Sequence, residues 1–82
     1  MVDNDLQGVI DWLSQIESDS SIPKSIRMKV KSAMDSLANE DNVINLRVDK
    51  SLEELENIAD DPNITDFTRM QIWRAVSLLE SR

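Results

Sequence analysis

The chain carries the same helical pattern twice, and this constrains its fold more than any other feature. Residues 6–37 laid on residues 48–79, an offset of 42, give eight identities in 32 positions. The identities are Leu13/Leu55, Ile16/Ile58, Asp19/Asp61, Ile22/Ile64, Arg27/Arg69, Met28/Met70, Ala33/Ala75 and Leu37/Leu79. Ile10/Leu52, Asp11/Glu53, Val30/Ile72 and Met34/Val76 keep their chemistry. Each copy reads as an apolar-periodic helix, an Asp-bearing turn, and a second helix with an arginine near its start. Two such hairpins account for most of the 82 residues. A chain this short buries only about 60–65% of its unfolded surface, so a single domain over 1–82 with one thin core is expected.

The spacing of apolar residues places four helices. Leu6, Val9, Ile10, Leu13 and Ile16 form the stripe of a helix starting at residue 3 or 4 and ending near 18. Asp3 and Asp5 sit where they favour the positive end of its dipole, and Asn4 is suited to cap it. Gly8 falls off the stripe and costs about 1 kcal/mol relative to Ala. Trp12, beside Ile16 at the stripe edge, reads as core. Pro23 suits the first turn of a second helix over about 23–38, whose stripe is Ile22, Ile26, Val30, Ala33 and Leu37. No Gly follows, so Asn39 or Asn42 is expected to take the left-handed closing conformation.

A third helix over about 43–59, capped by Asp41 or Asn42, has Ile44, Val48, Leu52, Leu55 and Ala59 as its stripe. Ser51-Leu52-Glu53-Glu54 is a competing capping box that starts the helix eight residues later. The repeat aligns 48–50 with the body of the first helix and favours the longer version. Asp60-Asp61-Pro62-Asn63 is a clear break, because proline disfavours helix at the residue before it. The last helix covers about 65–80, with Ile64, Thr68, Ile72, Ala75 and Leu79 as its stripe.

Four helices of similar length with short connections imply an all-α, up-down-up-down four-helix bundle. The alternative is a short HEAT-like repeat pair. An Asp followed eight residues later by Arg (Asp19/Arg27, Asp61/Arg69) resembles the HEAT pattern, and Arg47, six residues after Asp41, echoes it loosely. Such solenoids need three or more units, whereas two hairpins closing face to face bury both stripes at once.

The composition excludes much chemistry. The chain contains no His, Cys or Tyr, and so lacks the usual general base, thiol nucleophile and zinc ligands. It has no Gly-rich phosphate loop, so no enzyme and no cofactor are expected. The acidic start, the absence of a long apolar run and the lack of Cys point to a cytoplasmic protein without a membrane span. The net charge of −7 opposes nucleic-acid binding, which must neutralise phosphates. Lys24, Arg27, Lys29 and Lys31 are the one basic cluster that such binding could use. Acidic and basic helices alternate along the chain, which favours antiparallel pairing of sequence neighbours. Asp60, Asp61 and Asp66 at one turn and Glu40-Asp41 at another are the candidates for divalent-metal or small-ligand binding. They lack the Gly and terminal Glu of a calcium loop, and turn chemistry accounts for them as well.

Apolar residues away from the stripes are the best functional lead. Met70 and Trp73 lie more than about 100° from the centre of the last helix's stripe, with Phe67 at one edge. Met28 holds the position equivalent to Met70, and Leu46 is also off its stripe. Trp and Met suit protein contacts, one as a large anchor and the other as an adaptable filler. Phe67, Met70, Trp73 and Met28 are therefore the candidate face for a protein partner or for self-association. The competing reading buries the last helix on a wide arc, with these residues along helix seams.

The chain resembles a small archaeal family of uncharacterised all-helical proteins. The resemblance spans roughly residues 6–80. It rests on Ile16 through Arg27 with Pro23, Asn39-Glu40-Asp41, Leu46-Arg47-Val48, Leu52-Glu53-Glu54-Leu55, Asp61-Pro62-Asn63-Ile64 and Arg69 through Trp73. It implies an up-and-down four-helix bundle and brings no activity or site residues. The expected function is a non-enzymatic protein interaction or assembly module, with a small-ligand or metal-binding bundle as the alternative.

Overall fold

The computed structural model describes residues 4–81. Four helices follow one another: α1 (Asn4–Glu17), α2 (Lys24–Ala38), α3 (Ile44–Ala59) and α4 (Asp66–Glu80). Each packs on its sequence neighbours, and α4 closes the ring against α1. Among the described residues the diagonal pairs, α1 with α3 and α2 with α4, make no close backbone approach. A HEAT-type stack would bring just those pairs together, so the chain adopts the bundle.

The apolar stripes meet in one cluster. The predicted stripes of α2 and α4 are buried residue for residue, including Ile22 and Ile64 in the turns before them. Leu6, Val9, Leu13 and Ile16 are buried on α1, with Ile10 and Trp12 packed partly against the cluster. Gly8 is exposed, and a Cβ there would meet nothing. The capping expected of Asp3, Asn4 and Asp5 lies outside the described side chains.

The stripe of α3 departs from expectation. Val48, Leu55 and Ala59 are buried as predicted, but Ile44 and Leu52 are only half-buried. Arg47, Ser51 and Ile58 take the inner positions. Ser51 lies in mid-helix and its hydroxyl donates to Ala33 O at 3.3 Å, so it does not start a helix. The long version of α3 forms, beginning at Ile44 after Val43, with no side-chain cap from Asp41 or Asn42. Opposed small residues, Ser51 and Ala33, let α2 and α3 approach closely enough for that bond.

The three turns share one bonding scheme. The side-chain oxygens of Asp19, Asn39 and Asp61 accept the backbone N–H two residues on, at 2.9, 3.0 and 2.8 Å. Their main-chain carbonyls accept from the residue three further on, Ile22, Asn42 and Ile64. Asn39 therefore closes α2 through its side chain in an extended conformation (φ −77°, ψ 96°), not a left-handed one. No described residue has positive φ.

An arginine follows each of these turn residues by eight positions: Arg27, Arg47 and Arg69. Asn39, rather than Asp41, is thus the turn partner in register with Arg47. The arginines reach main-chain carbonyls, not the carboxylates of Asp19 and Asp61; Arg69 also pairs with Asp66. Arg47 Nε donates to Leu37 O at 2.8 Å, and Arg69 Nε to Ala59 O at 2.9 Å, each in the last turn of the preceding helix. Arg27 Nε donates within its turn, to Ile22 O at 2.9 Å. A helix C-terminus presents unpaired carbonyls and partial negative charge. No described helix carries a basic residue in its own last turn. For α2 and α3 the next helix supplies it.

Candidate interaction face

The outer face of α4 carries the large apolar side chains that the core leaves out. Thr65 caps this helix by accepting from Thr68 N, which fixes its register at the turn. With Ile72, Ala75, Val76 and Leu79 turned inward, the opposite side holds Phe67, Met70 and Trp73. Their exposures are 68%, 70% and 44%. The wide-arc burial reading therefore fails for this helix. Met28 is also exposed, at 62%, but sits on α2, which makes no close backbone approach to α4. Phe67, Met70 and Trp73 share a face, and Met28 lies apart from them. Leu46 is exposed on α3.

A groove of about 200 Å³ runs along the seam of α1 and α4, lined by Trp12, Phe67, Met70, Gln71 and Arg74. Trp12 ties its two walls together, because the indole N–H donates to Gln71 O at 2.9 Å. Its ring is half-buried against the core, and the Arg74 guanidinium stands 5.3 Å from the ring centroid. That spacing is within cation–π range. Gln71 Oε1 is buried and has no hydrogen-bond partner. Phe67 also borders a cavity of about 140 Å³ between the first and third turns, with Asp19, Pro23 and Thr65 among its walls.

The groove extends beyond what the sequence marked. Trp12, Gln71 and Arg74 join Phe67 and Met70, whereas Trp73 shares the face without lining the groove. Trp12 at a stripe edge was the one available signal, and it points to this seam only once α1 is known to meet α4.

The polar candidates are engaged elsewhere. Asp61 accepts from Asn63 N and lies 3.5 Å from Lys29 Nζ; Asp66 pairs with Arg69 at 3.0 Å. Asp60, Glu40 and Asp41 are exposed. No group of three or more metal-ligating acids forms among the described residues. In the basic cluster Arg27 turns to its own turn, and Lys31 lies 4.0 Å from Asp35. Asp19 takes two hydrogen bonds from Ser21, hydroxyl and backbone, which hold its carboxyl below the ordinary 3.8; Arg27 adds a smaller push the same way. No described helix is long and apolar enough to cross a membrane.

These features define a four-helix up-and-down bundle with arginine-tied turns and an apolar outer face on its last helix. The chain belongs to the uncharacterised protein family UPF0147, whose model matches residues 2–81. It is 45% identical to a UPF0147 protein of Methanosarcina mazei over 84% of this chain and 74% of the relative. Its fold is similar to the crystal structure of the unknown-function protein MMP1188, at TM-score 0.91 and 33% identity over 96% of this chain and 90% of that one. It is also similar to the crystal structure of a UPF0147 protein from Thermoplasma acidophilum, at TM-score 0.89 and 27% identity, covering 95% and 92% of the two chains. The relatives confirm an archaeal family of all-helical proteins.

Proposed function

We propose that the protein is a non-enzymatic, single-domain interaction module of the cytoplasm that docks a protein partner on the outer face of α4. The observation that carries this reading is the exposure of Phe67, Met70 and Trp73 on one side of one helix. Scattered surface apolar residues need no explanation, but three large ones within two turns form a contiguous patch. Fully covering one such side chain is worth roughly 1.5–3 kcal/mol, enough for this patch to anchor a partner. The absence of His, Cys and Tyr supports a role without catalysis. Asp61 and Asp66 are engaged with backbone or bases, and the turn acids form no group of three or more ligands among the described residues, so no particular observation favours the metal-binding alternative.

The test compares tagged wild type with a Met70→Glu/Trp73→Glu variant in affinity capture from the source organism's native lysate. Because both residues face solvent, the variant should keep its circular dichroism spectrum and lie within about 1 kcal/mol of wild type. A protein identified with wild type and lost with the folded variant is the expected result. Identical retained sets from the two baits would sink the reading.

A further inference from the structure

We infer that the groove between α1 and α4 seats an acidic amphipathic helix of a partner protein. This rests on the interaction reading above and gives that partner its chemistry.

Size comes first. The groove holds about 200 Å³, below the roughly 300–1,000 Å³ typical of small-molecule sites but suited to one large side chain. Spacing comes next. Phe67, Met70 and Arg74 occupy i, i+3 and i+7 and so share one face of α4, a strip about two turns long against which a helix can lie.

Charge then selects among helices. Among the described residues Arg74 is the only charged one lining the groove, and it has no carboxylate within ion-pair distance. Its guanidinium stands against Trp12 at the groove wall. Gln71 Oε1, buried on the same wall, has no donor. An apolar side chain flanked one turn away by Asp or Glu answers the pocket and the cation together.

A second copy of this chain fits poorly. A two-fold pairing of α4 with itself, centred between Met70 and Arg74, sets each Arg74 opposite the other copy's Met70 and puts no carboxylate opposite either guanidinium. A larger groove, about 280 Å³ between α2 and α3, is lined by Lys29, Ser32, Glu54 and Asn57. Its charged groups and hydroxyl are already paired within the chain, so it makes no comparable demand on a ligand.

The experiment selects displayed helical peptides of about four turns on the full-length protein and measures their affinities by fluorescence anisotropy. Enriched peptides should carry Asp or Glu one turn from a large apolar residue. Their affinity should fall about tenfold against an Arg74→Glu variant with unchanged circular dichroism. Replacing the peptide's acid by Lys should restore binding to that variant. Enrichment without an acidic preference, or affinity indifferent to Arg74→Glu, overturns the inference. If binding is lost only with Met70→Glu, the partner chemistry falls while the interaction reading stands. If no peptide is enriched over an unrelated helical bundle, both fall.

Discussion

The seam between α2 and α3 and the seam between α4 and α1 are built from opposite materials. In the first, polar groups meet polar groups. Ser32 and Ser36 donate to the two oxygens of Glu54 at 2.7 and 2.9 Å, and Ser51 donates to Ala33 O. Arg47, 8% exposed, donates to Leu37 O. In the second, one indole N–H crosses from α1 to α4, and around it stand Phe67, Met70, a cation with no carboxylate partner among the described residues and a buried acceptor with no described donor. The α2–α3 groove is the larger of the two, about 280 against 200 Å³. Unmet chemistry, not volume, is what favours the α1–α4 seam over the α2–α3 seam as the proposed partner site.

The first way to break this comparison is to remove the buried charge in the α2–α3 seam. Arg47→Met keeps the aliphatic stem but leaves Leu37 O without its charged donor. A hydrogen bond to a charged group is worth about 1.5–3 kcal/mol, so a loss of about 2 kcal/mol is expected. For a domain this size that corresponds to a fall of roughly 8–16 °C in Tm. Urea and thermal unfolding would read it. A change below about 0.5 kcal/mol would mean the seam is sealed by apolar contact alone.

The second sharpens the contrast by making a similar change in the other seam. Gln71→Met replaces an amide whose Oε1 is buried and unpartnered by an apolar side chain of similar length. An unpaired buried polar group costs about 1–3 kcal/mol, so this substitution should stabilise the free protein, by about 1 kcal/mol. Polar-to-apolar substitution thus has opposite signs in the two seams. A destabilisation of similar size would show that Oε1 is satisfied, and the α1–α4 seam would lose one of its two unmet demands.

The difference between the seams also decides what the sequence could reveal. The stripes of α2 and α4 were legible because both helices bury apolar residues at simple helical spacing, from Ile22 to Leu37 and from Ile64 to Leu79. On α3 the periodic reading chose Ile44 and Leu52, because Arg47 and Ser51 score as surface residues. Their burial depends on carbonyls of α2, which no local pattern displays. The third turn motif was hidden in the same way, with a neutral Asn39 in the role of Asp19 and Asp61. Phe67, Met70 and Trp73 could be read from one helix as lying outside its stripe. The groove could not, since Trp12 is 59 residues from the carbonyl that holds it.

The smallest expected effect lies in the first turn and tests whether the shared turn scheme is electrostatic or purely geometric. Asp19 and Asn39 accept the same backbone N–H with a carboxylate and an amide respectively. The hydrogen bonds from Ser21 lower the folded-state pKa of Asp19 below 3.8, and the unfolded chain lacks them. Below 3.8 the unfolded state therefore takes up a proton that the folded state still refuses, and acid favours unfolding. The contribution is complete above 3.8 and disappears as pH falls through the lowered value. Asp19→Asn keeps an acceptor oxygen and removes the titration. The stability difference between wild type and Asp19→Asn, from urea unfolding at a series of pH values, should be flat above 3.8 and move against wild type below it. A difference that does not change with pH would mean that carboxylate and amide serve these turns alike. The one neutral member of the three would then differ from the others in sequence only.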